Sequence, residues 1–226
     1  MKIHAIFYTD KKYRKREAFL LNRLREVGFD EVINYRREWL EGTDFYFKHR
    51  DVLDSAVGGG YWLWKPYIII ETLSKVSDGD VVFYMDAGDN IYNRKILIDI
   101  RKYMSSIDYM IAGRYDRDLN YMRTKRDCFI LMECDDALYY HKRQIEAGTL
   151  AFKKTEDMKR FLDEWLFYCK DINIISDSPS VLGEDLNGFI GHRHDQSILT
   201  NLVCKYNMKY SGKLYSRIKY NAFNGE

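Results

Sequence analysis

Proline is nearly missing from this chain: Pro66 and Pro179 are the only two in 226 residues. There is no Pro/Ser-rich stretch, low-complexity tract or internal repeat either, so no candidate linker exists and a single domain over residues 1–226 is expected. The cysteines, Cys128, Cys134, Cys169 and Cys204, form no C-x-x-C pair. That removes a cysteine-built zinc site and fits reduced thiols in an intracellular protein. No run approaches the roughly 18 apolar residues needed to span a bilayer. The N-terminus, MKIHAIFYTDKKYRKREAF, passes from a short apolar segment straight into charge and does not have the form of a signal peptide. A cytoplasmic location is the expectation. Charge of one sign is lacking too: 36 basic against 34 acidic residues leave +2, too weak a field to make nucleic acid the main partner. No G-x-G-x-x-G follows a strand and no G-K-[ST] occurs, which leaves dinucleotide and P-loop binding without support. No G-x-S-x-G, H-E-x-x-H or cysteine-nucleophile context supports hydrolase chemistry.

What is present is a core-forming composition, with 46% hydrophobic and 31% charged residues. Lys2–Thr9 (KIHAIFYT) has strand character. Arg16–Val27 places Phe19, Leu20, Leu24 and Val27 at helical spacing, with Gly28 as C-cap. Glu31–Tyr35 is a second strand, which opens a βαβ unit. After a polar, aromatic segment through Asp54 come Gly58-Gly59-Gly60 and YWLWKP, with Pro66 in the first turn of a helix that continues through Val76. Val81–Met85 is a continuous apolar run that suits a central strand covered on both faces. Ile96–Tyr103 has a helical pattern and Tyr109–Ala112 a strand pattern, while Gly113–Arg126 has the composition of a charged surface stretch. Asp127–Leu138 fits a strand and turn or a short helix. Gly148–Lys153 is strand-like, and Thr155–Tyr168 is a helix capped by Thr155. A polar loop runs to Asn187, and Gly188–Tyr206 turns into an apolar helix. The fold class is therefore α/β, a mixed, mostly parallel sheet flanked by helices.

The chemistry collects at three places. Asp86-Ala87-Gly88-Asp89 follows the central strand, at the end where open α/β sheets bind ligands. Two carboxylates there can share a hard divalent cation that in turn holds a diphosphate; an ordinary turn is the alternative. Asp78 and Asp80 form another D-x-D at the opposite end of the strand, away from any such crevice. In His192-Arg193-His194-Asp195-Gln196-Ser197, a dense polar cluster opens a helix, whose N-terminus favours anions. There Asp195 is either a plain N-cap or part of a site, and His194 is a possible third ligand beside Asp86 and Asp89. Lys65 lies between Trp62, Trp64 and Pro66, where an aromatic wall could hold its ammonium toward a phosphate; the tryptophans serve equally well as core.

In this order, strand–YT, YWLWKP, FYMDAGD, AGTLAFKKT and HRHDQS, the chain resembles small GT-A-type glycosyltransferases found among bacterial capsular and surface polysaccharide genes and in large DNA viruses. The resemblance covers about residues 1–210. It implies a nucleotide-sugar half (about 1–112) and an acceptor half (about 113–226). It implies transfer of a hexosyl group from a nucleotide-diphosphate sugar, a UDP-sugar first, to a glycan acceptor hydroxyl, with Mn²⁺ or Mg²⁺ as cofactor. Tyr8 and Thr9 would contact the nucleobase or ribose. Trp64, Lys65, Ala87, Gly88, Gly148, Thr149, Arg193 and Gln196 would line the donor pocket. Asp86 would be the first acid of the metal-binding signature, with Asp89 and His194 as further ligands and Asp195 touching the sugar or acting as base. The chain departs from the signature at Gly88, since its second acid, Asp89, comes one residue late. Two other classes remain: a phosphotransferase or phosphatase using Asp86 as nucleophile, against which Gly88 and the lack of a nearby Thr count, and a catalytically inactive sugar- or nucleotide-binding module.

Overall fold

In the computed structural model, the described residues are 1–107, 111–112 and 115–219. The principal elements are β1 (Ile3–Thr9), α1 (Glu17–Val27), β2 (Glu31–Arg36), α2 (Trp64–Lys75), β3 (Val81–Met85), α3 (Ile96–Ser106), β4 (Ile111–Ala112), β5 (Tyr115–Leu119), α4 (Arg126–Leu131), β6 (Arg143–Ile145), β7 (Thr149–Lys153), α5 (Glu156–Cys169), α6 (Ile172–Ile175) and α7 (His194–Lys205). The main sheet has the order β2-β1-β3-β7-β4. β1 is parallel to both β2 and β3, whereas β7 is antiparallel to β3 and to β4. Four strands thus point one way and β7 runs against them. A small hairpin-like pair, β5 with β6, stands outside the main sheet.

Alternation along the central strands divides the core into two layers, as the two-residue period of a strand requires. Ile6, Tyr8, Val82 and Tyr84 face α2, α5 and α7, where Ile68, Trp165 and Ile198 meet them. Ala5, Phe7, Phe83 and Met85 face the other way, onto Leu20 and Leu24 of α1 and Ile100 of α3. Every residue of β3 is buried, so its continuous apolar run reflects cover on both faces. α1 ends at Gly28, with φ 103°, a left-handed C-cap that glycine adopts without a Cβ clash. Thr155 caps α5 by accepting the Met158 N–H.

Two segments depart from expectation. The polar stretch before Asp54 folds into short helical turns, Arg37–Glu41, Asp44–Lys48 and Arg50–Leu53, anchored by Leu40, Tyr46, Val52 and Leu53 in the core. Tyr109 and Met110 of the expected strand lie outside the described residues, as do Gly113 and Arg114. The rest of the expected charged surface stretch contributes β5 and the buried Asn120, Thr124 and Lys125. Polar side chains can be buried there because they bond to one another, a pattern that hydrophobic periodicity does not register.

Candidate active site

β3 delivers Asp86 to the carboxyl edge of the sheet, and the chain turns tightly so that the Asp89 N–H bonds to the Asp86 carbonyl at 3.0 Å. Arg16 fixes this turn from α1's side by donating to the carbonyls of Ala87 (3.3 Å) and Asp89 (2.8 Å). The Asp86 N–H reaches across to the carbonyl of Gly148 at 2.8 Å, extending the β3–β7 pairing by one residue. Gly148 lies directly beneath both acids. A Cβ there would stand 3.1 Å from Asp86 Oδ2 and 3.6 Å from Asp89 Oδ2. The two carboxylates therefore share one small space, in spite of the extra residue between them.

Lys65, in the first turn of α2, is 3% exposed and places Nζ 2.8 Å from Asp195 Oδ2 and 3.9 Å from Asp86 Oδ1. It also donates to the Ala147 carbonyl at 3.1 Å and lies 5.3 Å from the centre of the Tyr84 ring. The aromatic face against the ammonium is thus Tyr84, whose hydroxyl also donates to Asp86 Oδ1. Burial alone would lower Lys65, yet Asp195 and Asp86 outweigh it and hold the ammonium above its ordinary value. Burial likewise pushes Asp195 up, with Lys65 drawing it back. Such a pair is held together only because each charge has nowhere else to go.

Asp195 is not the N-cap of its helix. α7 begins at His194, Arg193 stands at the cap position, and no side chain caps the helix there. Ser197 instead accepts the Arg193 N–H at 3.2 Å while donating to the Arg123 carbonyl at 2.6 Å. This frees the Asp195 side chain to turn toward Lys65. His194 itself has φ 50°, a left-handed conformation that costs a non-glycine residue on the order of 1–3 kcal/mol and that clusters at functional sites. Its Nδ1 faces the Ile175 carbonyl at 3.0 Å, so Nδ1 carries a hydrogen and donates there. Nε2 is 3.7 Å from Asp177 Oδ1. His192 accepts the Lys125 N–H at 3.3 Å, and burial, with His194 and Lys125 nearby, drives it well below its ordinary value.

The glycine run has a structural purpose. Gly58, Gly59, Gly60, Tyr61 and Trp62 all have positive φ, a short left-handed turn that only glycines make cheaply. A Cβ on Gly60 would stand 2.6 Å from the Leu53 Cα. The turn delivers Trp62 to stack on His194, with ring centres 5.4 Å apart and planes at 19°. Trp64 goes the opposite way, stacking on Tyr8 at 3.9 Å and bonding through Nε1 to the Gly58 carbonyl at 2.9 Å.

These elements enclose a cavity of about 440 Å³ lined by Trp62, Lys65, Asp86, Asp89, Gly148, Arg193, His194, Asp195 and Gln196, among others. Of the residues singled out in the sequence, Tyr8, Thr9, Trp64, Ala87, Gly88 and Thr149 do not line it. Thr9 is fully buried and exchanges hydrogen bonds with Asn34 at 3.0–3.1 Å. Tyr8 is covered by Trp64, and burial pushes its hydroxyl up to about 12. Asp80 lies at the far end of β3, accepting the Lys2 N–H at 2.7 Å.

Sequence inspection missed Arg123, Glu146 and Ala147, which also line the cavity, and a buried amide network behind it. Gln196 accepts the Ala147 N–H at 3.3 Å and donates to Gln144 Oε1 at 2.9 Å. Gln144 donates in turn to Asn120 (2.7 Å) and Thr124 (3.1 Å), and Asn120 to Asn201 at 2.7 Å. No motif marks these residues, since each is ordinary alone and only the fold brings them together.

As to metal binding, Asp86 and Asp89 over Gly148 supply two hard oxygen donors, a fit for Mn²⁺ or Mg²⁺. Among the described residues no three His, Cys, Asp or Glu side chains converge closely enough to form a cage by themselves. No helix among them is long and apolar enough to cross a membrane.

No protein-family model matches the chain, and no curated protein matches it either. Solved structures do resemble it. Mouse xyloside xylosyltransferase 1 superposes with a TM-score of 0.50 at 12% identity, covering 93% of this chain and 84% of that one. The bifunctional glycosyltransferase WbbM gives 0.48 at 11% identity, with 96% of this chain matched to 38% of its own length. GlyE of Streptococcus pneumoniae gives 0.42 at 14%, covering 93% of this chain and 45% of that one. At such identities the likeness is one of architecture, and the chain has a GT-A-like fold: a mixed, mostly parallel α/β sheet with its cavity at the carboxyl edge of the central strands.

Proposed function

We propose that this protein is a glycosyltransferase that moves a sugar, of hexosyl type, from a nucleotide-diphosphate sugar to a hydroxyl of a glycan acceptor. A UDP-sugar is the first choice of donor. The observation that carries the proposal is the convergence of Asp86, Asp89, Lys65 and Asp195 on one cavity at the carboxyl end of β3. The GT-A-like fold supports it, because ligands of open α/β sheets bind at that edge.

Asp86 and Asp89 would hold a Mn²⁺ or Mg²⁺ ion; His194, expected as a further ligand, does not join them in a three-residue cluster among the described residues. When bound, that cation supplies Lewis-acid stabilisation of a departing nucleoside diphosphate. Lys65 supplies a fixed positive charge beside Asp86, buried and preorganised, so it can stabilise negative charge without reorienting. Arg193 adds a second cation at the cavity wall. Gly148 keeps the backbone low enough for the acids to meet a ligand. Asp195, paired with Lys65, orients the sugar end of the cavity, and its raised proton affinity also suits a base for an acceptor hydroxyl. Trp62 offers a flat apolar face to a sugar ring.

The test is release of nucleoside diphosphate from a panel of UDP-, GDP- and ADP-sugars with Mn²⁺. Wild type should turn over at least one donor, and Asp86→Asn should fall by 100-fold or more. If no donor is consumed, or if Asp86→Asn works as well as wild type, the proposal fails.

A further inference from the structure

A second cavity, of about 380 Å³, lies where β6 meets the C-terminal half of α7. Its floor is apolar, formed by the buried Ile145, Val203 and Met208. Its rim carries the exposed His141, Lys142 and Arg143, and no acidic residue lines it. The Arg143 guanidinium is steadied there by donating to the Arg117 carbonyl at 3.0 Å. Among the described residues neither Lys142 nor Arg143 is paired with a carboxylate. The C-terminus of α7 points at this cavity and contributes roughly half a negative charge. Two full cations outweigh it, so the net field at the rim is positive.

The two cavities are built on the same two elements. β6 runs directly into Glu146, Ala147 and Gly148, which line the first cavity. α7 passes likewise from Asp195 and Gln196 to Thr200 and Cys204, which line the second. Thr200 ties the walls together, accepting the Ile145 N–H at 3.1 Å and donating to the Gln196 carbonyl at 2.8 Å. From Arg143 to Glu146 the separation is roughly 10 Å at strand rise, within reach of an oligosaccharide that starts at Asp195.

We propose that this second cavity is an acceptor subsite that takes an anionic group, a carboxylate or a phosphate, carried on the acceptor glycan. The proposal rests on the glycosyl-transfer reading above and gives it a substrate class: an acidic glycan. Lys142 and Arg143 grip the charge, while the apolar face of the sugar ring lies against Met208 and Tyr210. An apolar floor beneath a rim that carries two cations and no carboxylate suits such an amphipathic ligand better than a neutral sugar, which gains nothing from the charge.

The experiment is calorimetric binding of three tetrasaccharides of equal length, one with a uronate, one with a phosphate and one neutral, to wild type and to the double variant Lys142→Ala/Arg143→Ala. Binding of UDP with Mn²⁺ is measured alongside. Both substitutions are at exposed positions, and UDP binding should be unchanged by them. One charged tetrasaccharide should bind at least tenfold more tightly than the neutral one at low salt, and which one does so distinguishes carboxylate from phosphate. That preference should vanish in the double variant. Equal binding of charged and neutral sugars, or a preference untouched by the double substitution, overturns the proposal. If UDP never binds but the charged preference behaves as expected, the transfer reading falls and the acceptor assignment with it, while an anion site remains.

Discussion

Replacing Lys65 by methionine removes the cation from a pair that is almost wholly shielded from water, the two side chains being 3% and 5% exposed. At 2.8 Å and an effective dielectric constant of about 20, the attraction between Lys65 and Asp195 is about 6 kcal/mol before desolvation is counted. Desolvation of both ions offsets most of that, so the intact pair contributes little net stability. Removing one partner is different, because Asp195 is then left buried and unpaired. The expected loss is about 3–5 kcal/mol, which for a chain of this size lowers Tm by roughly 6–20 °C. The double variant Lys65→Met/Asp195→Leu should recover most of it, since no buried charge remains. Thermal or urea unfolding of wild type, both singles and the double gives the coupling directly. If Lys65→Met costs under about 1 kcal/mol, or if the double variant is as unstable as the sum of the singles, then the pair is not held as described. The double variant should nonetheless fail to bind donor, which separates stability from function.

Three further outcomes follow from single contacts. Gly148→Ala should fold with little loss but weaken Mn²⁺-dependent nucleotide binding by tenfold or more, because the new Cβ would stand 3.1 Å from Asp86 Oδ2; unchanged binding in calorimetry would contradict the placement of the acids. Gln144→Leu deletes three bonds of the buried amide network and should cost about 2–4 kcal/mol in urea unfolding, with donor binding weakened as Gln196 loses its support. Burial raises Asp80, but bonds from the Lys2 N–H, His4 and the Ser77 N–H outweigh it and hold the carboxyl below its ordinary 3.8. A depressed folded value means stability that is present above pH 3.8 and lost as pH falls through the folded value. Asp80→Asn should therefore be less stable than wild type at pH 7, with the gap closing below about pH 4; a constant gap in acid titration of unfolding would refute that assignment.

The fold was legible where one face or both of an element are apolar. Val81–Met85 and Thr155–Tyr168 announce themselves by burial pattern and cap, and their bounds shift by a residue or two at most in the structure. The direction of β7 was not legible, because a buried strand has the same composition whichever way it runs. At the site, Asp86 and Lys65 could be found because an acid after a central strand and a lysine among aromatics are locally odd. Asp195 was visible as part of a polar cluster, but the helix start two residues earlier than an Asp195 cap would require became clear only with His194 in its left-handed conformation. Tyr8 and Trp64, conspicuous in sequence, turn out to stack on each other. Gln144 and Asn120 were invisible, since nothing about a lone amide tells that it will be buried against another.

Most direct of all is calorimetric titration of UDP and GDP, with and without Mn²⁺, into wild type and Asp86→Ala. Nucleotide binding that needs Mn²⁺ and vanishes in the variant is the predicted result, and the base that binds names the donor. No binding of either nucleotide under any condition, or binding that Asp86→Ala leaves intact, would contradict a nucleotide-sugar site at the end of β3.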